Sequence, residues 1–193
     1  GAGGGDQQLL PDDVLRAAGL TQSNLAPSDW SPDGKHIAFA SGYSADVWLL
    51  PLGDNQKPFV LVGSRSDQMH ANFSPDGRFI AYTSNESGRD QVYVETLPLS
   101  DRKSLISTNG GYEPRWRADS REIYYLSEDR QLMAVPVSSG AKPFGLPRRL
   151  FQTDVHPGVS LLRTRYVPSG DGTRFLVHTR SRDLRPVSIT VVL

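Results

Sequence analysis

One ten-residue pattern returns along this 193-residue chain at a constant spacing, and this repeat constrains the fold more than any other feature. The first two copies, residues 30–39 (WSPDGKHIAF) and 73–82 (FSPDGRFIAY), begin 43 residues apart. A third copy, residues 116–125 (WRADSREIYY), begins another 43 residues later, and a fourth, residues 167–176 (VPSGDGTRFL), follows at a longer step. Self-similarity at such a period is the signature of a repeat architecture.

Each copy of the pattern predicts a β-hairpin. Ser-Pro-Asp-Gly favours a turn because proline presets φ, aspartate hydrogen-bonds nearby backbone and glycine accepts positive φ. An alternating apolar run follows the turn, as in residues 79–83, and such alternation indicates a strand. Two more strand-like segments complete each of the first three repeats. Four strands in 43 residues match the period of a β-propeller blade, about 40–45 residues.

The sequence therefore predicts an all-β chain, a β-propeller of four-stranded antiparallel meander blades with about four blades. The first strand of each blade is expected to lie innermost, with Trp30, Phe73 and Trp116 buried. Residues 1–25 are predicted to form an N-terminal segment with a short helix over residues 11–19 or a closing strand near residues 7–10. Residues 26–193 form the propeller, with blades near 26–68, 69–111, 112–158 and 159–193. The last repeat holds three strands, so the ring is expected to be partial or completed by an oligomer.

Composition excludes several classes of protein. Twenty-one basic and twenty-one acidic residues cancel, which argues against a nucleic-acid binder. The chain has no cysteine, so disulfides and thiolate sites are excluded. No stretch approaches the roughly 20 apolar residues that span a bilayer, so no membrane insertion is expected in this segment. The first residues, GAGGG, are interpreted as a tag remnant or as the cut edge of a longer chain.

No catalytic residue, cofactor or metal is predicted. The sequence has no Gly-x-Ser-x-Gly elbow, no phosphate-binding loop and no His-Glu-x-x-His motif. An aspartate recurs in every repeat, but copies on successive blades lie too far apart to share one ion. These aspartates are therefore interpreted as turn residues: Asp33, Asp76, Asp119 and Asp171.

The candidate binding site lies on the first strands. In a propeller these strands face the central channel, so the residues just before each turn converge from successive blades. Polar groups there are costly if buried without partners, and a wet channel tolerates them. The predicted partner-binding residues are Asp29, His70, Asn72, Tyr112, Glu113 and Arg115, with Tyr112 at the rim and Arg163 and Arg165 extending the set. The alternative is that they pair with one another, Glu113 or Asp29 with Arg115.

Residues 30–34 and 73–77, each followed by Ile-Ala and an aromatic residue, resemble the TolB-type repeats, also described as WD-like β-propeller repeats. The resemblance covers residues 26–193, and the end of the chain is similar to the C-terminal blades of bacterial propellers. It implies a six- or seven-bladed ring, of which this chain would supply four blades. It also implies a periplasmic or extracytoplasmic location.

Three functions follow from the fold and the resemblance. The first is a non-enzymatic binding or scaffold module that takes a protein or peptide partner at its channel face, with self-association through open blade edges. The second is the propeller portion of a larger enzyme, either the gating ring of a prolyl-oligopeptidase-like serine peptidase or the C-terminal sensor region of a receptor-like serine/threonine kinase. The third is a metal-dependent propeller lyase. This function needs several histidines in the channel, and His70 is the only one that the sequence places well.

Overall fold

A computed structural model gives the architecture of the chain. It describes residues 10–21, 25–41, 46–53, 57–61, 66–100, 102–155, 164–179 and 188–192. The N-terminal segment contributes one short helix, α1 (Asp12–Ala17), with two aspartates in its first turn and Arg16 in its last. This placement of charge complements the helix dipole. Of the proposed closing strand, residues 7–9 lie outside the described residues, and Leu10 is not in a strand.

Fifteen strands follow α1 in the described ranges. They are β1 (Leu25–Trp30), β2 (His36–Ser41), β3 (Asp46–Pro51), β4 (Phe59–Val60), β5 (Gln68–Phe73), β6 (Phe79–Ser84), β7 (Gln91–Thr96), β8 (Lys103–Leu105), β9 (Tyr112–Trp116), β10 (Glu122–Leu126), β11 (Gln131–Pro136), β12 (Arg148–Gln152), β13 (Tyr166–Pro168), β14 (Phe175–Thr179) and β15 (Ser188–Val192).

The strands form four antiparallel sheets in chain order, which we name blades 1 to 4. Blades 1, 2 and 3 each contain four strands, β1–β4, β5–β8 and β9–β12, and blade 4 contains β13–β15. The first strands of neighbouring blades contact one another, β1 with β5 and β5 with β9. The prediction of an all-β propeller built from meander blades is confirmed. In the described part of the chain, no helix is long and apolar enough to cross a membrane.

The core lies between the blades rather than inside any one of them. One apolar cluster joins blades 1 and 2, a second joins blades 2 and 3, and a third joins blades 3 and 4. Phe73 belongs to the first cluster and Trp116 to the second, so each covers the blade that precedes its own. Their side chains are 5% and 8% exposed, as predicted.

Trp30 corrects the prediction that all three repeat aromatics are buried. It occupies the same repeat position as Phe73 and Trp116, yet it is 59% exposed. The physical reason is the direction in which this position points. Phe73 and Trp116 face the preceding blade, and the described residues place no blade before β1. Trp30 therefore lies on an uncovered sheet face.

The repeated turns are built as the sequence predicts. In blade 2 the Ser74 hydroxyl donates to Asp76 Oδ1 at 2.7 Å and accepts the Phe79 N–H at 2.9 Å. Gly77 takes a φ of 72°. In blade 3 arginine replaces the serine, and Arg117 Nε donates to Asp119 Oδ1 at 2.7 Å. The aspartates thus bind groups within their own turns.

Candidate functional site

Each of the first three blades carries an irregularity on its innermost strand. The pairing register shifts between Pro27 and Asp29 in β1, and between Met69 and Asn72 in β5. A matching shift occurs where β9 pairs with β10. Such β-bulges bend a strand and re-aim its side chains, and they are over-represented beside functional sites. The bulges therefore decide where the polar residues of the first strands point.

Two residues at these bulges adopt a left-handed backbone. His70 has a φ of 57° and Glu113 a φ of 55°, and they stand 43 residues apart, at the same position of the repeat. Non-glycine residues rarely take positive φ, and holding one there costs on the order of 1–3 kcal/mol. The surrounding contacts must offset that cost. The strain is therefore a repeated feature of the inner strands.

The residues two positions beyond the bulges form a half-buried row, which we call the inner row: Asp29, Asn72 and Arg115. Arg115 Nη1 donates to Asn72 Oδ1 at 2.7 Å, and its Nη2 donates to Thr164 Oγ1 at 3.2 Å. These bonds link blade 3 to blade 2 on one side and to the segment before blade 4 on the other. All three members of the row remain partly accessible to solvent.

Asp29 closes the row at blade 1. Its Oδ2 accepts the N–H of Phe73 at 2.8 Å, and its Oδ1 accepts the N–H of Trp30 at 2.9 Å. Burial raises the pKa of this carboxyl, while the two backbone N–H groups and the positive charge of Arg115 oppose that shift. Asp29 therefore ties blade 1 to blade 2 through a side chain that still reaches solvent.

Behind the inner row lies a fully buried ion pair between Glu113 and Arg165. Arg165 donates to the carboxylate twice, from Nη1 to Oε1 and from its backbone N–H to Oε2, the latter at 3.0 Å. The Tyr166 hydroxyl donates to the Glu113 carbonyl at 2.8 Å. Burial raises the pKa of Glu113, and its bonds to Arg165 oppose that shift. The pair fastens blade 3 to the start of blade 4.

His70 stands two residues before Asn72 and is linked to Glu113 through Thr83. Its Nδ1 is 3.5 Å from Thr83 Oγ1, and that hydroxyl accepts the Glu113 N–H at 3.1 Å. The imidazole is half-buried. Its position therefore connects the accessible surface of blade 2 to the backbone of the strained residue in blade 3.

All six predicted site residues lie on the first strands of blades 1 to 3, and two of them are less accessible than expected. Tyr112, expected at the rim, is 2% exposed because it packs in the cluster between blades 3 and 4. Glu113, expected to face a wet channel, is fully buried against Arg165.

Some of the predicted site residues do pair with other side chains, but their partners differ from the expected pairs of Glu113 or Asp29 with Arg115. Arg115 bonds to Asn72, and Glu113 bonds to Arg165, which the sequence placed in the extended set. Sequence reasoning missed Thr83, Thr164 and Tyr166, because nothing in the repeat marks them. Arg163 lies outside the described residues. In the ranges that the structure covers, no group of three or more His, Cys, Asp or Glu residues could hold a metal ion.

The inner row offers a carboxylate, an amide and a guanidinium, with an imidazole beside them. Together these groups can accept and donate hydrogen bonds at once, which suits the alternating N–H and C=O groups of a polypeptide. Charged groups also give stronger hydrogen bonds than neutral ones. The arrangement is therefore suited to holding a polar ligand in one orientation.

Proteins with a similar sequence include two from bacteria. A Tol-Pal system protein TolB from Francisella tularensis is 28% identical over 136 residues, which cover 68% of this chain and 31% of that protein. Dipeptidyl-peptidase 5 from Porphyromonas gingivalis is 27% identical over 122 residues, covering 54% of this chain and 18% of the peptidase. The crystal structure of TolB from Acinetobacter baumannii superimposes with a TM-score of 0.65 at 20% identity, covering 89% of this chain and 42% of that one.

The chain thus spans less than a third of the length of either relative in sequence. At 20% identity, the likeness to the crystallised TolB shows a shared fold. The sequence pattern of one family, the TolB beta propeller domain, matches residues 12–142. This match covers the helix, blades 1 and 2 and strands β9 to β11 of blade 3, including every inner-row residue. The chain therefore belongs to the TolB beta propeller domain family.

Proposed function

We propose that this chain is a non-enzymatic binding and scaffold module that takes a protein or peptide partner at its channel face. The observation that carries the proposal is the inner row, in which polar side chains from three blades line up half-buried. A partner backbone crossing this row would meet Asp29, Asn72 and Arg115 in succession. Relatives that are named as proteins of the Tol-Pal system are compatible with a protein partner.

The buried pair behind the row supports this role. Glu113 and Arg165 are desolvated and bonded to each other, so they have little capacity left for a partner. They hold blade 3 and the start of blade 4 in register, and that register positions Arg115 between Asn72 and Thr164. In this proposal the accessible row binds, while Glu113 and Tyr112 support the strand that carries Arg115.

Arg115→Ala is expected to reduce partner capture at least tenfold. The test immobilises the chain, exposes it to an extract of the bacterium that produces it, and quantifies each captured protein by mass spectrometry. Loss of two half-buried hydrogen bonds costs about 1–2 kcal/mol, so the variant stays folded. Arg121→Ala is the matched control, since Arg121 is an exposed arginine of the same blade outside the row. Equal capture by the Arg115→Ala variant and the wild-type chain would refute the channel-face site.

A second candidate is the propeller portion of a larger serine peptidase. The observation in its favour is the similarity to dipeptidyl-peptidase 5, of which this chain covers 18%. In that case the inner row would contact peptides on their way to a separate hydrolase domain. The open reading frame that contains this chain decides between the two, because the peptidase requires a hydrolase domain in it. The other possibility within a larger protein, the sensor region of a receptor-like kinase, rests on the family resemblance alone. A metal-dependent lyase would need several channel histidines, and His70 is the one histidine among the described first-strand residues.

We further propose that the uncovered face of blade 1 mediates self-association. Trp30 is 59% exposed on this face, its cross-strand partner Ile37 is half-buried, and so is Trp48 further along the same face. Apolar faces of this kind gain free energy when they are covered. We expect light scattering of the wild-type chain at high concentration to report species larger than a monomer, and Trp30→Glu to shift it toward the monomer.

Leu146→Glu is the control for this experiment, because Leu146 is 85% exposed and lies in the link between β11 and β12. It should leave the association unchanged. A wild-type chain that stays monomeric at high concentration would rule out this interface.

A further inference from the structure

We propose that the groove between blades 1 and 2 is a docking site for a segment of a partner protein that presents one aromatic side chain next to a basic residue. This first groove has a volume of about 570 Å³ and lies at the turn ends of the two blades. Its apolar lining includes Leu49, Phe59, Phe73, Leu97 and Leu99. It is separate from the inner row, so the inference goes beyond the binding function proposed above.

The evidence begins with an equivalent groove one repeat further along, between blades 2 and 3. In both grooves the strand after the turn begins with a side chain at the same place, His36 in blade 1 and Phe79 in blade 2. The backbone carbonyl of each of these residues closes its turn by accepting a backbone N–H at 2.8 Å, from Ser31 and Ser74 respectively. The facing aromatic side chain is Phe73 in the first groove and Trp116 in the second. The two grooves are thus built from matching positions.

The chain fills the second groove with one of its own side chains, Phe144. The Phe144 ring meets the Phe79 ring edge-on, with centroids 5.2 Å apart. Its backbone forms a β-bridge with Val137. The bridge consists of two bonds, from Ser138 N–H to the Pro143 carbonyl at 2.8 Å and from Gly145 N–H to the Pro136 carbonyl at 2.9 Å. An aromatic residue in a Pro-Phe-Gly context is therefore what this type of groove accepts.

Among the described residues, no such segment enters the first groove, because the link at this place is shorter. Residues 97–102 join β7 to β8 in blade 2, whereas residues 137–147 join β11 to β12 in blade 3. As a result Phe59 and Leu99 remain 39% and 38% exposed above a floor formed by buried Leu49 and Phe73. Exposed apolar side chains grouped at a concave site mark interaction surfaces.

The polar lining indicates which residues should accompany the aromatic ring. Two carboxylates, Asp33 and Asp76, and the imidazole of His36 border the first groove. Asp76 already binds Arg78 Nε at 2.7 Å, whereas Asp33 faces the exposed Lys35 at the longer distance of 3.8 Å. The Asp33 carboxylate therefore favours a basic residue close to the ring, and in the chain's own segment Lys142 stands two residues before Phe144. Pro98 has no N–H at the position where Ser138 donates in the second groove. The ring and the charge, rather than backbone pairing, must therefore carry the binding.

The test uses a fluorescent synthetic peptide with the sequence of residues 138–147, SSGAKPFGLP, added to the full 193-residue chain. Fluorescence anisotropy should report saturable binding. A peptide with alanine in place of the phenylalanine should bind at least tenfold more weakly, and so should the original peptide to the Leu99→Glu chain. Leu105→Glu is the matched control, because Leu105 is an exposed leucine of the same blade, on β8, outside the groove. It should bind like the wild-type chain.

Each other outcome contradicts the proposal. No saturable binding to the wild-type chain would mean that the groove does not accept this chemistry. Binding that ignores the loss of the phenyl ring would mean that the ring is not the anchor. Binding that survives Leu99→Glu would place the peptide elsewhere, for instance in the second groove after displacing Phe144. Thermal melting of each variant confirms that the chains compared are folded.

Discussion

Replacing Glu113 by alanine is expected to destabilise the protein by about 3–5 kcal/mol, because it leaves the Arg165 guanidinium buried without its counter-charge. Arg165 is 5% exposed and cannot turn to solvent without moving the start of blade 4. In a domain of this size each kcal/mol lowers Tm by about 2–4 °C, so the expected fall in Tm is about 6–20 °C. Thermal melting followed by circular dichroism measures it.

Two further variants make the result specific to the buried pair. Glu113→Gln keeps an acceptor for the Arg165 N–H but loses the charge, so its Tm should lie between those of the wild type and the alanine variant. Lys35→Ala removes an ion pair with Asp33 whose side chains are 73% and 54% exposed, 3.8 Å apart, and should leave Tm unchanged. A Glu113→Ala chain that melts with the wild type would show that the pair does not form in solution.

The second large effect is expected at the repeat aromatic of blade 3. Trp116 stacks on Phe79 with ring centroids 6.0 Å apart and planes 9° from parallel, and its Nε1–H donates to the Asn72 carbonyl at 3.1 Å. Trp116→Ala removes both contacts and opens a cavity between blades 2 and 3. The expected loss in the free energy of unfolding is about 3–5 kcal/mol, measured by urea denaturation.

Trp30→Ala is the matched control, because Trp30 holds the same repeat position on an uncovered face. At low protein concentration its loss should stay within about 0.5 kcal/mol, as for other surface substitutions. Equal losses for the two variants would mean that Trp30 is covered in solution, whereas the described part of the chain leaves it exposed. The comparison therefore separates the contribution of the residue type from that of its surroundings.

The sequence by itself determined the blades. Turn residues such as Ser74, Asp76 and Gly77 bind within their own hairpin, and the alternation that follows each turn fixes which side chains share a face. These are local properties, so a 43-residue repeat was enough to predict the fold and the strands that carry the candidate site. The family resemblance rests on the same local pattern of turns and strands. It therefore predicts the architecture better than it predicts the function.

Only the tertiary structure decided which polar residues of the inner strands remain accessible. Arg115 bonds to Asn72 and Glu113 to Arg165 across 43 and 52 residues of chain, so their accessibility depends on how neighbouring blades meet. The same holds for Trp30, which is exposed because no described blade covers it, and for Phe144, which fills a groove that stays open one repeat earlier. Burial and pairing are properties of surfaces brought together from distant parts of the chain, and a local pattern cannot encode them.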